Sequence, residues 1–425
     1  MFDVKHPNVP ISADTIRRVQ PLISHIRAHE AAVATAEYDP VKSPHVMDPL
    51  LLKHVFDPSL FNDALFFDLF AGMATEAERA INGWFRVYID GMLSPKYENE
   101  VLLNSPDSGE NFPHFMSRVT GGRKFGIVVN GAEQWSDPLA RMAARVFAPV
   151  VEAQGHWRSM IEVTLFIGNY GYTPFGIHID DPYTSVVHFH AGPTTKAMTL
   201  FSRSAFHRLN GPRKNCFNPE LLTPHGQTFS IESGDVFLLP PHWYHIGNTD
   251  GFSIGIAFAI SKYTDEKVSQ QMLQHAITEQ RLRGNVSQII ARAEAAGDTM
   301  AEWLRRIRIE HGAPTASRRW LRYSYTCHEK DTVTPDAGWI RDPDFPLNTV
   351  EVGDDLLVFA RGNHIRLRRG AVGTTLLEAI PHTPFSARDL YSSLKGNVSL
   401  EALLGILVQL RRLGGVLPIS ATAQQ

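Results

Sequence analysis

Two stretches far apart in the chain decide the fold class, Gly176-Ile-His-Ile-Asp180 and Pro240-Pro-His-Trp-Tyr-His245. On a strand, side chains alternate between two faces, so His178 and Asp180 would leave the same face. His245 is expected at the end of another strand, after an apolar run and a proline corner that can direct its imidazole toward the first pair. Two histidines and one carboxylate on one side of a metal leave open positions opposite, as is typical of non-haem iron sites. The sequence therefore predicts a metal site at His178, Asp180 and His245.

Neighbouring polar residues leave alternatives open. A His-x-Asp triplet also arises by chance as a salt-linked pair on a surface strand. His242 is predicted to face outward or to form local hydrogen bonds. Asp181 is a rival carboxylate, but strand alternation sends its side chain to the opposite face. His188 and His190 share one face of the next strand. They could line a substrate pocket or contact a bound oxo acid, and such histidines are more often hydrogen-bonded wall residues than ligands.

A lysine begins an otherwise apolar strand. Lys196 precedes Ala197-Met-Thr-Leu-Phe201, and burying a lysine there is costly unless it meets an anion. An iron site needs electrons to use dioxygen; no haem, flavin or nicotinamide motif is evident, and a 2-oxo acid can supply two by decarboxylation. Lys196 is therefore predicted to bind the distal carboxylate of such an acid, with Thr173 and Tyr170 as hydroxyl donors. The alternative is an exposed lysine at a strand start.

Composition sets limits on the class of protein. A chain of 425 residues predicts two or three domains, and 43% hydrophobic with 20% charged residues is ordinary for a globular protein. The net charge of −3 gives no global attraction to nucleic acid or membrane. The two cysteines argue against a disulfide framework or a cysteine-rich zinc site. Without a signal peptide or membrane-spanning pattern in the sequence, we expect a cytoplasmic protein.

The pattern of elements predicts an α+β protein in four regions. Residues 1–110 are expected to be mainly helical and to pack on a barrel. Residues 111–263 contain short strands separated by turn residues, which indicates an antiparallel barrel or jelly roll. Residues 264–315 are expected to form a helical linker or a dimerisation segment, and residues 340–420 a small winged-helix-like domain. A polar excursion at 203–226 is interpreted as a lid or a wall of the substrate site.

Individual elements are also predicted. Pro21 is expected to interrupt a helix that begins near Ser12. The candidate strands are 85–89, 125–129, 161–167, 175–179, 185–190, 197–201, 228–231, 235–238, 252–259, 350–352, 356–359 and 363–367. The candidate helices include 60–70, 138–153, 373–380, 386–394 and 399–413.

These motifs together resemble a known family. His178-x-Asp180, Lys196 on the following strand and Gly234-Asp-x-x-x-x-Pro-x-x-Trp-x-His245 look like the JmjC branch of the cupin-fold 2-oxoglutarate/Fe(II) oxygenases, over about residues 110–265. The order of barrel, helices and winged module is similar to that of the ribosomal-protein hydroxylases. The interval between Thr173-Pro174 and His178 is two residues longer than the family pattern.

The resemblance implies a fold, a set of cofactors and roles for named residues. The fold would be a double-stranded β-helix flanked by helices. His178, Asp180 and His245 would bind Fe(II), while Lys196, helped by Thr173, would hold the 2-oxoglutarate C5 carboxylate. Dioxygen would be the oxidant, with succinate, CO2 and a hydroxylated C–H bond as products.

Three functions follow as hypotheses. The first is hydroxylation of a protein or peptide side chain, and the second is hydroxylation of a small molecule or free amino acid by the same chemistry. The third is a nucleic-acid-binding regulator with an inactive or sensory barrel, motivated by the arginines at 305–322 and the helix at 399–413. That helix carries only Arg411 and Arg412 as strong cations, both at its end, so nucleic acid is disfavoured. Helices at 264–310 could pair two subunits.

Overall fold

The computed structural model describes residues 11–34, 47–153, 159–181, 183–262, 312–325, 334–352, 354–368, 376–394 and 398–419, with isolated positions between 270 and 302. The chain divides into two compact units. The first contains Val9–Val150 and Met160–Lys262, and the second contains Met1–Asn8, Val151–Ser159 and Tyr263–Gln425. Helices and antiparallel sheets are both present, as the α+β prediction requires. The division into four regions stays a prediction.

Eight of the described helices lie wholly or partly in the first unit. They are α1 Ala13–Ala34, α2 Asp63–Ala74, α3 Ala77–Ile81, α4 Pro95–Leu103, α5 Phe112–Thr120, α6 Asp137–Val146, α7 Ala148–Ala153 and α8 Arg203–Asn210. The expected break at Pro21 is wrong, because α1 continues through it. Val19, Leu22 and Ile23 on its inner face are fully or almost fully buried. Packing of this face stabilises the helix against the lost hydrogen bond at proline.

Strands of the first unit form two sheets. They are β1 Leu50–Leu52, β2 Phe85–Ile89, β3 Met92–Leu93, β4 Phe125–Val129, β5 Ser159–Gly168, β6 Gly171–Tyr172, β7 Thr184–His190, β8 Lys196–Phe201, β9 Gln227–Ile231, β10 Val236–Leu239, β11 Tyr244–Thr249 and β12 Ser253–Lys262. The larger sheet has the order β1-β10-β7-β12-β5-β4-β2-β3, and the smaller has the order β6-β11-β8-β9. The site residues lie on both sheets.

Two local predictions near the site are wrong. The strand expected at 175–179 is reduced to isolated bridges, Ile177 with Cys216 and His178 with His245. His245 does not end the preceding strand but is the second residue of its own strand, β11. The polar excursion at 203–226 contains helix α8 and two short 3-10 turns, Pro219–Leu221 and Thr223–His225.

A buried carboxylate holds the turn that leads into β10. Asp235 is completely buried and accepts hydrogen bonds from the backbone N–H groups of His54 and Glu232 at 2.9 and 2.7 Å. Its partner is the Lys53 ammonium at 2.8 Å. Burial raises the pKa of Asp235, but Lys53 and the two N–H groups together lower it further, so the net pKa lies below its ordinary value. The carboxylate therefore fixes the start of the strand that leads to His245.

The second unit has its own sheets and core. Its strands are β13 Gly338–Arg341, β14 Asn348–Val352, β15 Asp355–Ala360, β16 Asn363–Arg368, β17 Phe385–Ser386 and β18 Val416–Pro418, and its complete helices are α9 Ala387–Ser393 and α10 Leu400–Arg412. Ser386 and Asp389 form a capping box at the start of α9. The side chains of Trp339, Val358 and Leu407 are buried in one apolar cluster. The winged-helix assignment stays a prediction.

Some predictions fall outside the described residues. The helices expected at 264–311, and the dimerisation role given to them, lie almost wholly there, as do residues 305–311 of the arginine-rich 305–322 segment. None of the described helices has the length and apolarity needed to cross a bilayer.

Candidate metal centre

Three predicted side chains lie together in the first unit. His178, Asp180 and His245 each offer one ligand atom, and these atoms lie within 4.8 Å of one another. The Nε2 atoms of His178 and His245 are 3.7 and 3.8 Å from the two carboxylate oxygens of Asp180. Backbone hydrogen bonds join the two histidine residues directly, at 3.2 and 2.8 Å. Within the described residues, these three side chains form a cluster whose donor atoms suit a single metal ion.

Backbone carbonyl groups orient both imidazoles. His178 Nδ1 donates to the Gly176 carbonyl at 2.9 Å, and His245 Nδ1 donates to the Trp243 carbonyl at 3.3 Å. A proton held on Nδ1 leaves the Nε2 lone pair available, which is the usual arrangement of metal-binding histidines. Burial, and then the neighbouring His178, lower the pKa of His245 to about 4. His245 is therefore neutral near pH 7, as a ligand must be.

A glycine allows the approach of the His178 segment to its neighbour. Gly176 has a φ of 68°, and a Cβ there would lie 2.3 Å from the Cys216 carbonyl oxygen. Ile177 and Cys216 exchange backbone hydrogen bonds of 2.8 and 2.9 Å next to this point. Only glycine satisfies both the left-handed conformation and the close contact. The 203–226 segment is thereby attached to the metal-binding residues.

His242 and Asp181 stand outside the cluster. His242 has a φ of 72° in the turn before β11, so it shapes the entry to that strand. Asp181 Oδ1 accepts a hydrogen bond from the Tyr183 backbone N–H at 3.1 Å. Neither residue belongs to the cluster of His178, Asp180 and His245.

Lys196 is buried beside the metal-binding strand. Its side chain is 1% exposed, so the alternative of an exposed strand start is wrong. A Cβ on Gly247 would lie 2.9 Å from Lys196 Cε and 3.5 Å from Thr173 Cγ2. Since Gly247 and His245 are two residues apart on β11, a Cβ at Gly247 would point to the same face as the His245 side chain. The lysine and Thr173 therefore lie along the strand face that carries a candidate ligand.

Burial dominates the electrostatics of this lysine. It lowers the pKa of Lys196 from 10.5 to about 7. The Nζ atom lies 5.3 Å from the centroid of the Phe166 ring, and within the described residues it has neither an ion pair nor a hydrogen bond. A buried ammonium without a counter-ion is costly, so the site suits an anion that would take the place of water.

Among the buried polar side-chain atoms of the first unit that lack hydrogen-bond partners, four belong to residues of the predicted pocket. They are Tyr170 Oη, Thr173 Oγ1, His188 Nε2 and His190 Nδ1. Buried polar atoms are normally satisfied, so an unsatisfied set indicates a missing ligand or water. Burial and then Lys196 hold the pKa of His188 well below its ordinary range, and burial lowers that of His190 to about 4. Both rings are thus neutral hydrogen-bonding groups.

The helper residues differ in how directly they meet Lys196. The Thr173 backbone N–H donates to the Gly247 carbonyl at 2.8 Å, which places Thr173 against the lysine. The Tyr170 ring lies instead against Gly126 of β4, and burial raises the pKa of its hydroxyl. The structure brings Thr173 to Lys196; the role predicted for Tyr170 stays a prediction.

Sequence reasoning interpreted His188 as a pocket wall or a contact to the oxo acid, and it did not consider Gly247 or Arg86. His188 shares a pocket with Lys196, since the lysine charge lowers its pKa and a Cβ on Gly255 would lie 2.3 Å from its ring. Gly247 carries no signal in a single sequence. Arg86 does, because it is the one charged residue in the strand Phe85-Arg-Val-Tyr-Ile89.

Comparisons with known proteins give a distant structural likeness. Neither protein-family models nor curated proteins match the sequence. The chain is similar to a crystal structure of the Escherichia coli ribosomal oxygenase YcfD, with 14% identity and a TM-score of 0.45 over 91% of this chain and 97% of that one. A YcfD structure in complex with cobalt and 2-oxoglutarate gives 13% identity and a TM-score of 0.46, over 92% and 98%. At this identity and score the likeness decides no activity, which depends on this chain's own side chains.

Proposed function

We propose that this chain is a 2-oxoglutarate- and Fe(II)-dependent oxygenase that hydroxylates a C–H bond of a protein or peptide side chain. One observation carries the proposal: His245 of a two-histidine, one-carboxylate cluster lies on the sheet face that also carries Lys196, a buried lysine without an ion pair among the described residues. The proposal includes a double-stranded β-helix formed by the eight-stranded and four-stranded sheets. It also includes His178, Asp180 and His245 as the metal ligands.

The donor set fits Fe(II). Two neutral imidazole nitrogens and one carboxylate oxygen match the facial arrangement of non-haem iron sites, in which three positions stay open. Asp180 is the most exposed of the three, with 35% of its side chain accessible against 22% for His178 and 10% for His245. The bound metal and 2-oxoglutarate would supply the oxidising chemistry, in which one oxygen atom of O2 enters the C–H bond and the other enters succinate as CO2 leaves.

The protein residues bind and orient the co-substrate. The Lys196 ammonium supplies the positive charge for the C5 carboxylate, and the Thr173 hydroxyl and His188 Nε2 supply hydrogen-bonding partners in the same pocket. Arrival of the carboxylate stabilises the charged lysine and raises its pKa from about 7. The Phe166 ring beside the ammonium keeps water away from that side.

Exposed apolar residues beside the cluster support a polypeptide substrate. Phe217 and Leu221 are 71% and 73% exposed, on the segment that is attached to Ile177 through Cys216. Large apolar side chains at the edge of a site suit contact with the side chains of another chain.

The test is turnover by the full chain. Incubation with Fe(II), 2-oxoglutarate and O2 should produce succinate, and peptide substrates should gain 16 Da. Asp180→Ala should abolish both, whereas Asp181→Ala, which alters the adjacent carboxylate outside the cluster, should retain them. Succinate formation that survives Asp180→Ala would contradict the proposal. Oxidation of free amino acids alone would replace the polypeptide substrate with a small molecule.

A further inference from the structure

One arginine, Arg86, lies in the otherwise apolar strand β2. Arg86 is half-buried, and its Nε atom is buried without a hydrogen-bond partner. Within the described residues its guanidinium takes part in neither an ion pair nor a hydrogen bond. Its one close ring contact is with Phe175, 5.8 Å from Cζ to the ring centroid. A guanidinium carries five N–H donors, so this position leaves strong donors unused.

The sheet register places Arg86 on the face that carries the site. Arg86 pairs with Val128, and Val128 pairs with Phe166, so the three side chains form one row across β2, β4 and β5. Phe166 in this row lies beside the Lys196 ammonium. Arg86 therefore shares a face with the proposed co-substrate pocket.

Aromatic contacts connect this row to the metal cluster. The Phe175 ring lies 5.7 Å from the His178 imidazole and 6.4 Å from the Phe166 ring, measured between centroids. Because Arg86 packs on that same Phe175 ring, one side chain separates its guanidinium from a candidate ligand. An anion bound by Arg86 would lie about one side chain away from the metal position.

Glu98 is an acidic group whose carboxyl interacts electrostatically with Arg86. Burial raises the pKa of Glu98, outweighing the lowering by the Val87 backbone N–H and by the Arg86 charge. Glu98 forms no ion pair with Arg86. In the proposed function Lys196 is committed to the co-substrate, so Arg86 is a second cation on the site face that is left for another ligand.

We propose that Arg86 binds a carboxylate of the substrate, so that the oxidised C–H bond belongs to an acidic residue of a polypeptide or to the residue beside it. This inference rests on the proposed function and specifies its substrate class. A guanidinium binds a carboxylate through two parallel hydrogen bonds, which would orient the substrate as well as hold it. A free carboxylic acid offers the same group, so the test includes both sources.

The test compares matched libraries on the full chain with Fe(II) and 2-oxoglutarate. One decapeptide library contains Asp and Glu, a second replaces them with Asn and Gln, and a third set contains free amino acids and small dicarboxylic acids. Substrate-stimulated succinate formation and a 16 Da gain are measured for the wild type, Arg86→Gln and Arg86→Lys. Arg123→Gln, which removes a surface arginine paired with Asp90, is the control.

We expect the wild type to prefer the acidic library. Arg86→Gln should raise KM about tenfold to a hundredfold with a smaller change in kcat, because a charged hydrogen bond to a remote group is lost. Arg86→Lys should recover part of the affinity, and Arg123→Gln should behave as the wild type. If only free acids stimulate succinate formation, Arg86 would still bind a carboxylate, but the substrate would be a small molecule.

Four results would overturn the inference. The inference would be rejected by equal oxidation of the amide and acidic libraries, by no stimulation with any carboxylate, or by an unchanged KM in Arg86→Gln. In each of these cases, basal succinate formation by the wild type would still support the proposed function. No succinate formation by the wild type would reject the proposed function itself, and the substrate assignment with it.

Discussion

Lys196 lies against Gly247, where a Cβ would be 2.9 Å from Lys196 Cε and 3.6 Å from its Nζ. Gly247 is two residues beyond His245 on β11. Strand β11, which carries a candidate metal ligand, thus also packs against the candidate anion-binding lysine. A mutation at Gly247 should therefore change anion binding without changing metal binding, although both sites involve strand β11.

Gly247→Ala should weaken 2-oxoglutarate binding while leaving metal binding intact. The added methyl group displaces the lysine side chain, and overpacking of this kind costs about 1–3 kcal/mol, which is about a tenfold to hundredfold loss of affinity. Titration of the metal-loaded protein with 2-oxoglutarate measures it. Gly405→Ala, where a Cβ meets nothing within 4 Å, is the matched control and should bind as the wild type. Equal loss of metal affinity in Gly247→Ala would contradict the separation.

The affinity for 2-oxoglutarate should fall as pH rises above about 7. The free protein holds the pKa of Lys196 at about 7, and the carboxylate binds the charged form. Above that pH a proton must be taken up on binding, so affinity should fall about tenfold per pH unit. Calorimetry in two buffers of different ionisation enthalpy measures both the affinity and the proton uptake. A pH-independent affinity between 7 and 9 would count against Lys196 as the anion site.

Lys196→Met should stabilise the ligand-free protein. The pKa of Lys196 is lower in the folded state, about 7, than its ordinary 10.5. The unfolded state therefore binds more protons between these values, so this lysine destabilises the fold fully below pH 7 and progressively less up to 10.5. Replacing it with an apolar side chain should add about 1–3 kcal/mol to the free energy of unfolding near pH 7.

Lys53→Met is the control for that experiment, and it should change the free energy of unfolding in the opposite direction. Hydrogen bonding to Asp235 raises the pKa of Lys53, so this substitution leaves a buried carboxylate unpaired and should destabilise the protein. Urea unfolding of both variants, with and without 2-oxoglutarate, measures the difference. Destabilisation by Lys196→Met in the absence of ligand would show that the lysine has a structural partner.

Gly176→Ala should impair metal binding more than Gly171→Ala. Both glycines have a positive φ, 68° and 75°, so alanine costs about 1–2 kcal/mol in backbone strain at either position. Only at Gly176 would the Cβ also meet the Cys216 carbonyl oxygen, at 2.3 Å, which must move the His178 segment. Cobalt titration followed by visible absorption should show weaker binding for Gly176→Ala alone. Equal affinities for the two variants would reject the contact as a positioning device.

The sequence contained the chemistry of the candidate site but not its geometry. The pair His178 and Asp180, the corner before His245 and the lysine in an apolar run are local patterns, so they were predictable. The conformation at 175–179 was not, because its bridges to Cys216 and His245 depend on residues far along the chain. Likewise α1 continues through Pro21 because its apolar face is buried by the rest of the fold.

By itself, the sequence determined which side chains can bind a metal or an anion, since residue type fixes charge, donor atoms and the period of alternation along a strand. Only the tertiary structure decided that Lys196 lies beside the strand of His245 and that Arg86 shares a row with Phe166. Those relationships depend on strand order and register, which pair residues about 40 to 50 positions apart. They also depend on burial, which turns an ordinary lysine into one with a pKa of about 7.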